Sequence, residues 1–96
     1  MERRQLEYFI AVVETGSFSK AAERCNVSQP SLSQQIMNLE EELGVKLFDR
    51  TRRSIQLTDA GVYFLKEARH LLLLVEQAAG LMQEAEAAYF QWILMN

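Results

Sequence analysis

The chain holds one cysteine, one proline, one histidine and four glycines in 96 residues. A lone Cys25 excludes an intramolecular disulfide framework and any zinc site built on a cysteine cluster. No Gly-rich loop is present to cradle a phosphate, and no carboxylate pair is spaced on one rigid element for acid–base work. His70 sits beside an apolar helical stripe and reads as a surface residue rather than a base or ligand. Cys25 falls on an apolar face and reads as a small core residue, with redox sensing as its functional alternative. Nothing here asks for an enzyme, a metal or a cofactor. Long apolar runs are also missing: "HLLLLV" (70–75) is far too short to span a bilayer, and no signal-like run follows Met1. The expectation is a cytoplasmic chain without membrane contact, one domain or one small domain plus an extension.

Acidic residues outnumber basic ones, 13 to 10, which by itself argues against nucleic acid. The distribution says otherwise. Residues 1–45 and 59–96 are each net acidic, whereas the short stretch 46–58 carries Lys46, Arg50, Arg52 and Arg53 against Asp49 alone. The field felt by a phosphate backbone depends on such local placement more than on the total.

The apolar residues recur at helical spacing. Leu6, Phe9, Ile10 and Val13 form one face of a first helix, ended by Gly16. Ser17 caps a second, whose apolar side is Phe18, Ala21, Ala22 and Cys25. Asn26 tolerates a left-handed backbone and can end it in a tight turn, with Val27 tucked inward. Ser28 caps a third helix that accepts Pro30 in its first turn, where no backbone N–H is needed. Leu32, Ile36, Leu39 and Leu43 are its buried stripe, and Gly44 stops it. At 100° per residue Pro30, Gln34 and Asn38 point away from that stripe, flanked by Ser33 and Met37. Two short helices meeting at a tight turn make a helix-turn-helix over about residues 18–37.

The segment "VKLFDRTRRSIQLT" reads as a two-stranded hairpin, or wing, with Arg52 and Arg53 at its tip. Thr58 caps a fourth helix running from Asp59 to about Ala88, ~45 Å at 1.5 Å per residue. Its stripe of Phe64, Ala68, Leu71, Val75, Ala78, Met82 and Ala85 is too long to bury against a 58-residue head, so it predicts a partner helix, or else the core of a larger domain. The apolar tail 89–96 is expected to pack Phe90, Trp92, Ile93 and Leu94 on a partner chain or to prolong the helix. The fold class is mainly α: a winged helix-turn-helix over 1–58, three helices plus a two-stranded wing, followed by a long dimerisation helix.

The elements "SFSKAA", "VSQPSLSQQI", "LEEELGVKLFDR" and "LTDAG", in that order and at that spacing, resemble the N-terminal DNA-binding domain of the LysR-type transcriptional regulators. The resemblance covers residues 1 to about 85. It implies a bacterial transcription factor whose linker helix forms an antiparallel homodimer on inverted-repeat, double-stranded DNA. Such regulators continue into an effector domain that binds a small molecule. The present chain ends at Asn96, so effector sensing is not assigned to these residues. Many relatives carry Arg where this chain has Gln34, which removes one cation from the groove face.

The stretch "NVSQPSLSQQI" (26–36) carries no ionised side chain in a quarter-charged protein. Ser and Gln both donate and accept hydrogen bonds, so such a face can test base edges at short range, where Glu would be repelled and Lys would discriminate little. Gln29, Ser33 and Gln34 are assigned to base edges and Pro30 to apolar contact with a thymine methyl. Ser28 and Ser31 contact the DNA backbone or cap the helix. Arg52 and Arg53 are assigned to the minor groove or its flanking phosphates. Arg50 is expected to pair with the Glu40–Glu42 cluster, which otherwise reads as a solvated face. Arg3, Arg4 and Lys20 are further phosphate candidates. A competing reading is an interaction protein whose long helix is an oligomerisation rod; another is a short form that pairs with full-length relatives and poisons them.

Overall fold

The computed structural model describes residues 1–95. Its elements in chain order are helix α1 (Arg3–Thr15), α2 (Phe18–Arg24), α3 (Gln29–Leu43), strands β1 (Phe48–Asp49) and β2 (Gln56–Leu57), and α4 (Asp59–Met95). The two strands are antiparallel, with Phe48 opposite Leu57 and Asp49 opposite Gln56. The molecule measures 65 × 25 × 20 Å because α4 projects from a small head.

The helices begin and end where local chemistry lets them. The Glu2 N–H donates to Gln5 Oε1 at 2.9 Å ahead of α1. Ser17 Oγ accepts from the Lys20 N–H at 3.1 Å, and Ser28 Oγ from the Ser31 N–H at 3.2 Å, so α2 and α3 each start on a serine cap. Asn26 adopts φ 57°, the left-handed conformation that closes the turn between α2 and α3. The Val27 N–H then reaches back to the Ala22 carbonyl at 3.0 Å. Gly44 takes φ 73° and its N–H returns to the Glu40 carbonyl at 2.9 Å, which ends α3.

The core sits where α1, α2, α3, the hairpin and the first turns of α4 converge. Leu32, Ile36, Leu39, Leu47, Phe9 and Val12 are fully buried there. The Phe9 ring centre lies 5.3 Å from that of Phe48 and 5.1 Å from that of Phe64, while Phe18 meets Phe48 at 5.6 Å. Ala21 and Ala22 are buried, and their small side chains let α2 lie close against its neighbours. The start of α4 is clamped to the chain leading into β1. Thr58 donates its N–H to the Leu47 carbonyl at 3.0 Å and its hydroxyl to the Lys46 carbonyl at 2.6 Å. The same Thr58 hydroxyl oxygen accepts from the Gly61 N–H at 3.0 Å. A Cβ on Gly61 would collide with the Leu47 carbonyl oxygen, so glycine is what allows this approach.

Two expectations about α4 change. The helix does not stop near Ala88 but continues through Met95, ~55 Å in all. Of the tail residues, Phe90, Trp92, Ile93 and Leu94 prolong the helix and are largely exposed along it. Ala68 is used differently from the seam foreseen for it, whereas Phe64 and Leu71 are only half-buried. Ala68 is wholly buried and Phe64 and Leu71 pack on the core of their own head, so Ala68 has no surface to offer a partner. Val75, Ala78, Met82 and Ala85 are exposed.

Candidate nucleic-acid interface

Burial of Leu32, Ile36 and Leu39 holds α3 against the head and turns its opposite side outward. Gln29, Pro30, Ser31, Gln34, Met37 and Asn38 are exposed on that side, Ser28 is exposed at its cap, and Ser33 is half-buried at the edge. Side-chain hydrogen bonds pre-orient the polar groups. Ser19 on α2 donates to Gln29 Oε1 at 3.2 Å, which leaves the amide nitrogen of the exposed Gln29 as a donor. Gln34 Nε2 donates to Asn38 Oδ1 at 2.8 Å, one helical turn away, so the Gln34 carbonyl remains an acceptor and the Asn38 amide a donor. Ser28 and Ser31 bond each other at 2.8 Å as well as capping the helix. A neutral, rigidly seated face with both donors and acceptors is suited to reading hydrogen-bond patterns on another molecule.

The hairpin supplies cations, though not equally. Arg52 Nε lies 3.6 Å from Asp49 Oδ2, and its Nη1 donates to Gln56 Oε1 at 3.4 Å. Arg53 is exposed and forms no ion pair among the described residues. The Asp49 carboxyl is held below the usual carboxylate range, first by the Thr51 hydroxyl at 2.5 Å, next by the Thr51 N–H at 3.0 Å, and further by Arg52. These contacts pinch the bend that follows β1.

Arg50 belongs to the fold rather than to an exposed cationic face. Its Nη1 is 3.0 Å from Glu40 Oε1, and its guanidinium lies 5.5 Å from the Phe18 ring centre and 5.9 Å from that of Phe48. Glu40 corrects the view of residues 40–42 as a solvated face. It is 2% exposed, and its Oε2 accepts the Leu47 N–H at 2.7 Å and the Phe48 N–H at 3.4 Å. Two buried backbone donors and one guanidinium explain a carboxylate in the core. A sequence signal existed: Glu40 follows Ile36 by four residues and so lies on the inward stripe.

Arg3 and Arg4 pair within the chain, with Glu7 at 3.1 Å and Glu2 at 2.6 Å. Lys20 is exposed with no ion pair among the described residues. Sequence reasoning passed over Ser19 and gave Asn38 no role, although both position the glutamines. Cys25 is half-buried against the core; desolvation raises its thiol pKa, Glu7 adds to this, and Arg24 partly opposes it. His70 is exposed on α4. Among the described residues, no cluster of His, Cys, Asp and Glu could hold a metal, and no helix is long and apolar enough to cross a membrane.

Known proteins share this arrangement. The chain is 52% identical over 85 residues to the HTH-type transcriptional regulator TfdT of Cupriavidus pinatubonensis, covering 88% of the chain and 37% of TfdT. It is 53% identical over 83 residues to AlsR of Bacillus subtilis, covering 86% of the chain and 28% of AlsR. The chain thus spans roughly a third of the length of these relatives. Among solved structures, the BenM DNA-binding domain in complex with catB site 1 DNA superposes with a TM-score of 0.83 at 46% identity, covering 88% of this chain and 94% of that one. The CbnR DNA-binding domain in its DNA complex gives 0.84 at 47% identity, covering 88% and 98%. The sequence profile of the bacterial regulatory helix-turn-helix proteins of the lysR family matches residues 3–62, and the chain belongs to that family.

Proposed function

We propose that the chain is the DNA-binding part of a transcription regulator and binds inverted-repeat, double-stranded DNA as a homodimer. In this reading α3 enters the major groove. Gln29, Ser33 and Gln34 meet base edges, Pro30 makes apolar contact, and Ser28 and Ser31 lie at the backbone beside the helix N-terminus. Arg52 and Arg53 reach the minor groove or its phosphates, and α4 carries the dimer contact through residues that include Val75, Ala78, Met82 and Ala85. The domain limits follow as 1–58 for the head and 59 onward for the linker. Any small-molecule effector would be sensed by a domain outside these residues.

The observation that carries this reading is the uncharged, outward face of α3 on a fully buried stripe, with Arg53 and Lys20 free of acidic partners among the described residues. The similar BenM and CbnR domains are complexes with DNA, which supports the same role. One recognition helix reads only a few base pairs. Two on a twofold axis read half-sites about one turn apart, ~34 Å. Sites selected from random DNA should therefore be inverted repeats, and the logarithm of the affinity should fall linearly with the logarithm of salt concentration. Equal affinity for a selected repeat and for scrambled DNA would overturn the proposal.

A further inference from the structure

We propose that Gln34, Met37 and Asn38 form one reading unit on the distal half of α3, selective for an A·T base pair, in which Asn38 positions Gln34 on the adenine and Met37 touches the thymine. This rests on the DNA-binding reading of the preceding subsection and adds to it a base pair and two residues. No ionised side chain occurs from Asn26 through Leu39, so discrimination on this half of the helix falls to neutral groups. At 100° per residue Asn38 lies about 40° to one side of Gln34 and Met37 about 60° to the other. All three are exposed, opposite the buried Leu32, Ile36 and Leu39.

The amide pair fixes a polarity. A glutamine free to rotate presents its oxygen and its nitrogen interchangeably and so accepts several base edges. Gln34 Nε2 donates to Asn38 Oδ1 at 2.8 Å. One of its two N–H groups is thereby used, which holds the nitrogen toward Asn38 and leaves the carbonyl oxygen and the second N–H for a base. Adenine offers the complement in the major groove, its N6 amino group as donor and N7 as acceptor. Guanine offers two acceptors, N7 and O6, and would set one of them against the Gln34 oxygen.

Met37 supplies the contact on the other flank. It is 49% exposed, an unbranched apolar side chain within a hydrogen-bonding face. Gln34 and Met37 line one shallow hollow, so a group held by the first lies against the second. Thymine carries a C5 methyl on the groove edge it shares with its adenine, whereas cytosine has none. A flexible, polarisable thioether suits such a methyl. Glu41 follows Met37 by one turn and is exposed; its charge repels phosphate, which ends the reading unit at Asn38.

Base analogues test each contact. Sites are selected from random DNA with the natural chain and with Gln34→Ala. The position whose preference the variant loses marks the Gln34 contact, and in sites of the natural chain it should be A·T. Replacing that thymine by deoxyuridine removes only the methyl. It should weaken the natural chain ~4-fold, as for one buried methyl, and Met37→Ala hardly at all. Replacing that adenine by 7-deazaadenine removes only the N7 acceptor. It should weaken the natural chain ~5-fold and Asn38→Ala by much less, because a Gln34 that is not held makes the N7 bond poorly. Met37 and Asn38 are exposed and alanine is the best helix former, so both variants keep the fold. Selection of G·C at the Gln34 position, or an analogue cost that is the same in the natural chain and in the matching variant, would overturn the proposal while leaving DNA binding by α3 intact. No preference for any repeat over scrambled DNA would overturn both.

Discussion

The Glu40 carboxylate and the Arg50 guanidinium stand 3.0 Å apart, and through them the third helix is fastened to the hairpin. Glu40 also receives the Leu47 N–H at 2.7 Å, so one side chain fixes both the entry and the exit of β1. Glu40→Ala would leave buried donors unpaired as well as the guanidinium. Hydrogen bonds to charged groups contribute ~1.5–3 kcal/mol, and Arg50 is partly open to solvent, so the expected loss is roughly 2–4 kcal/mol. Glu40→Gln keeps an acceptor for Leu47 and should lose less than half as much. Urea unfolding of the two variants decides the point; an unshifted midpoint for Glu40→Ala would mean that the carboxylate does not anchor the hairpin.

Two glycines of α4 should respond in opposite directions. Gly61→Ala drives a methyl into the Leu47 carbonyl, and backbone gives way less readily than a side chain. Overpacking of this kind costs about 1–3 kcal/mol. Nothing lies within 4 Å of a Cβ built on Gly80, in the middle of the helix. Gly80→Ala should therefore stabilise the chain by ~0.5–1 kcal/mol through helix propensity. Thermal melts that move both variants the same way would contradict this account of the α4 root.

Much of this architecture was legible because burial and helical period coincide. Leu32, Ile36, Leu39 and Leu43 mark the inner side of α3 whatever packs on it, and Ser17 and Ser28 act through neighbours three residues away. Periodicity locates a buried face but not its occupant. Ala68 has the spacing of a dimer seam, yet the root of α4 folds back onto its own head and buries it there, with Phe64 and Leu71 packed partly on the same core. Glu40 was expected as a partner of Arg50, but its burial escaped notice because its charge obscured its place on the inward stripe. Its partners, the Leu47 and Phe48 N–H groups, come from the hairpin entrance beyond Gly44. The end of α4 was set too early because the apolar tail looked like a separate segment, although no Pro or Gly interrupts the chain after Gly80.

Acid should loosen the hairpin bend. The Asp49 pKa is lower in the folded chain than in an unfolded one, through its bonds from Thr51 and, more weakly, the Arg52 charge. A depressed carboxyl contributes stability that is complete above its ordinary pKa, 3.8, and fades as pH falls through the lowered folded value. The Thr51 amide resonance should follow the Asp49 titration below that ordinary value and stay put in Asp49→Asn. A midpoint at or above the ordinary value would show that the Thr51 bonds do not form in solution.

Gln34 and Arg53 should separate sequence discrimination from general attraction. Gln34 donates its Nε2 to Asn38 at 2.8 Å, which leaves its carbonyl oxygen as an acceptor suited to particular base edges. Gln34→Ala should cost about 1–3 kcal/mol on the preferred site and far less on altered sites, flattening the preference at one position in each half-site. Arg53 forms no ion pair among the described residues and is available to a phosphate or a narrow minor groove. Arg53→Ala should weaken binding to all sequences by a similar factor and lower the slope of log affinity against log salt by ~1 per protomer. Fluorescence anisotropy of both variants, on the selected repeat and on point-substituted repeats at several salt concentrations, resolves the two effects. If Arg53→Ala changed the order of site preference, or Gln34→Ala lowered all sites alike, the division between reading helix and anchoring wing would be wrong.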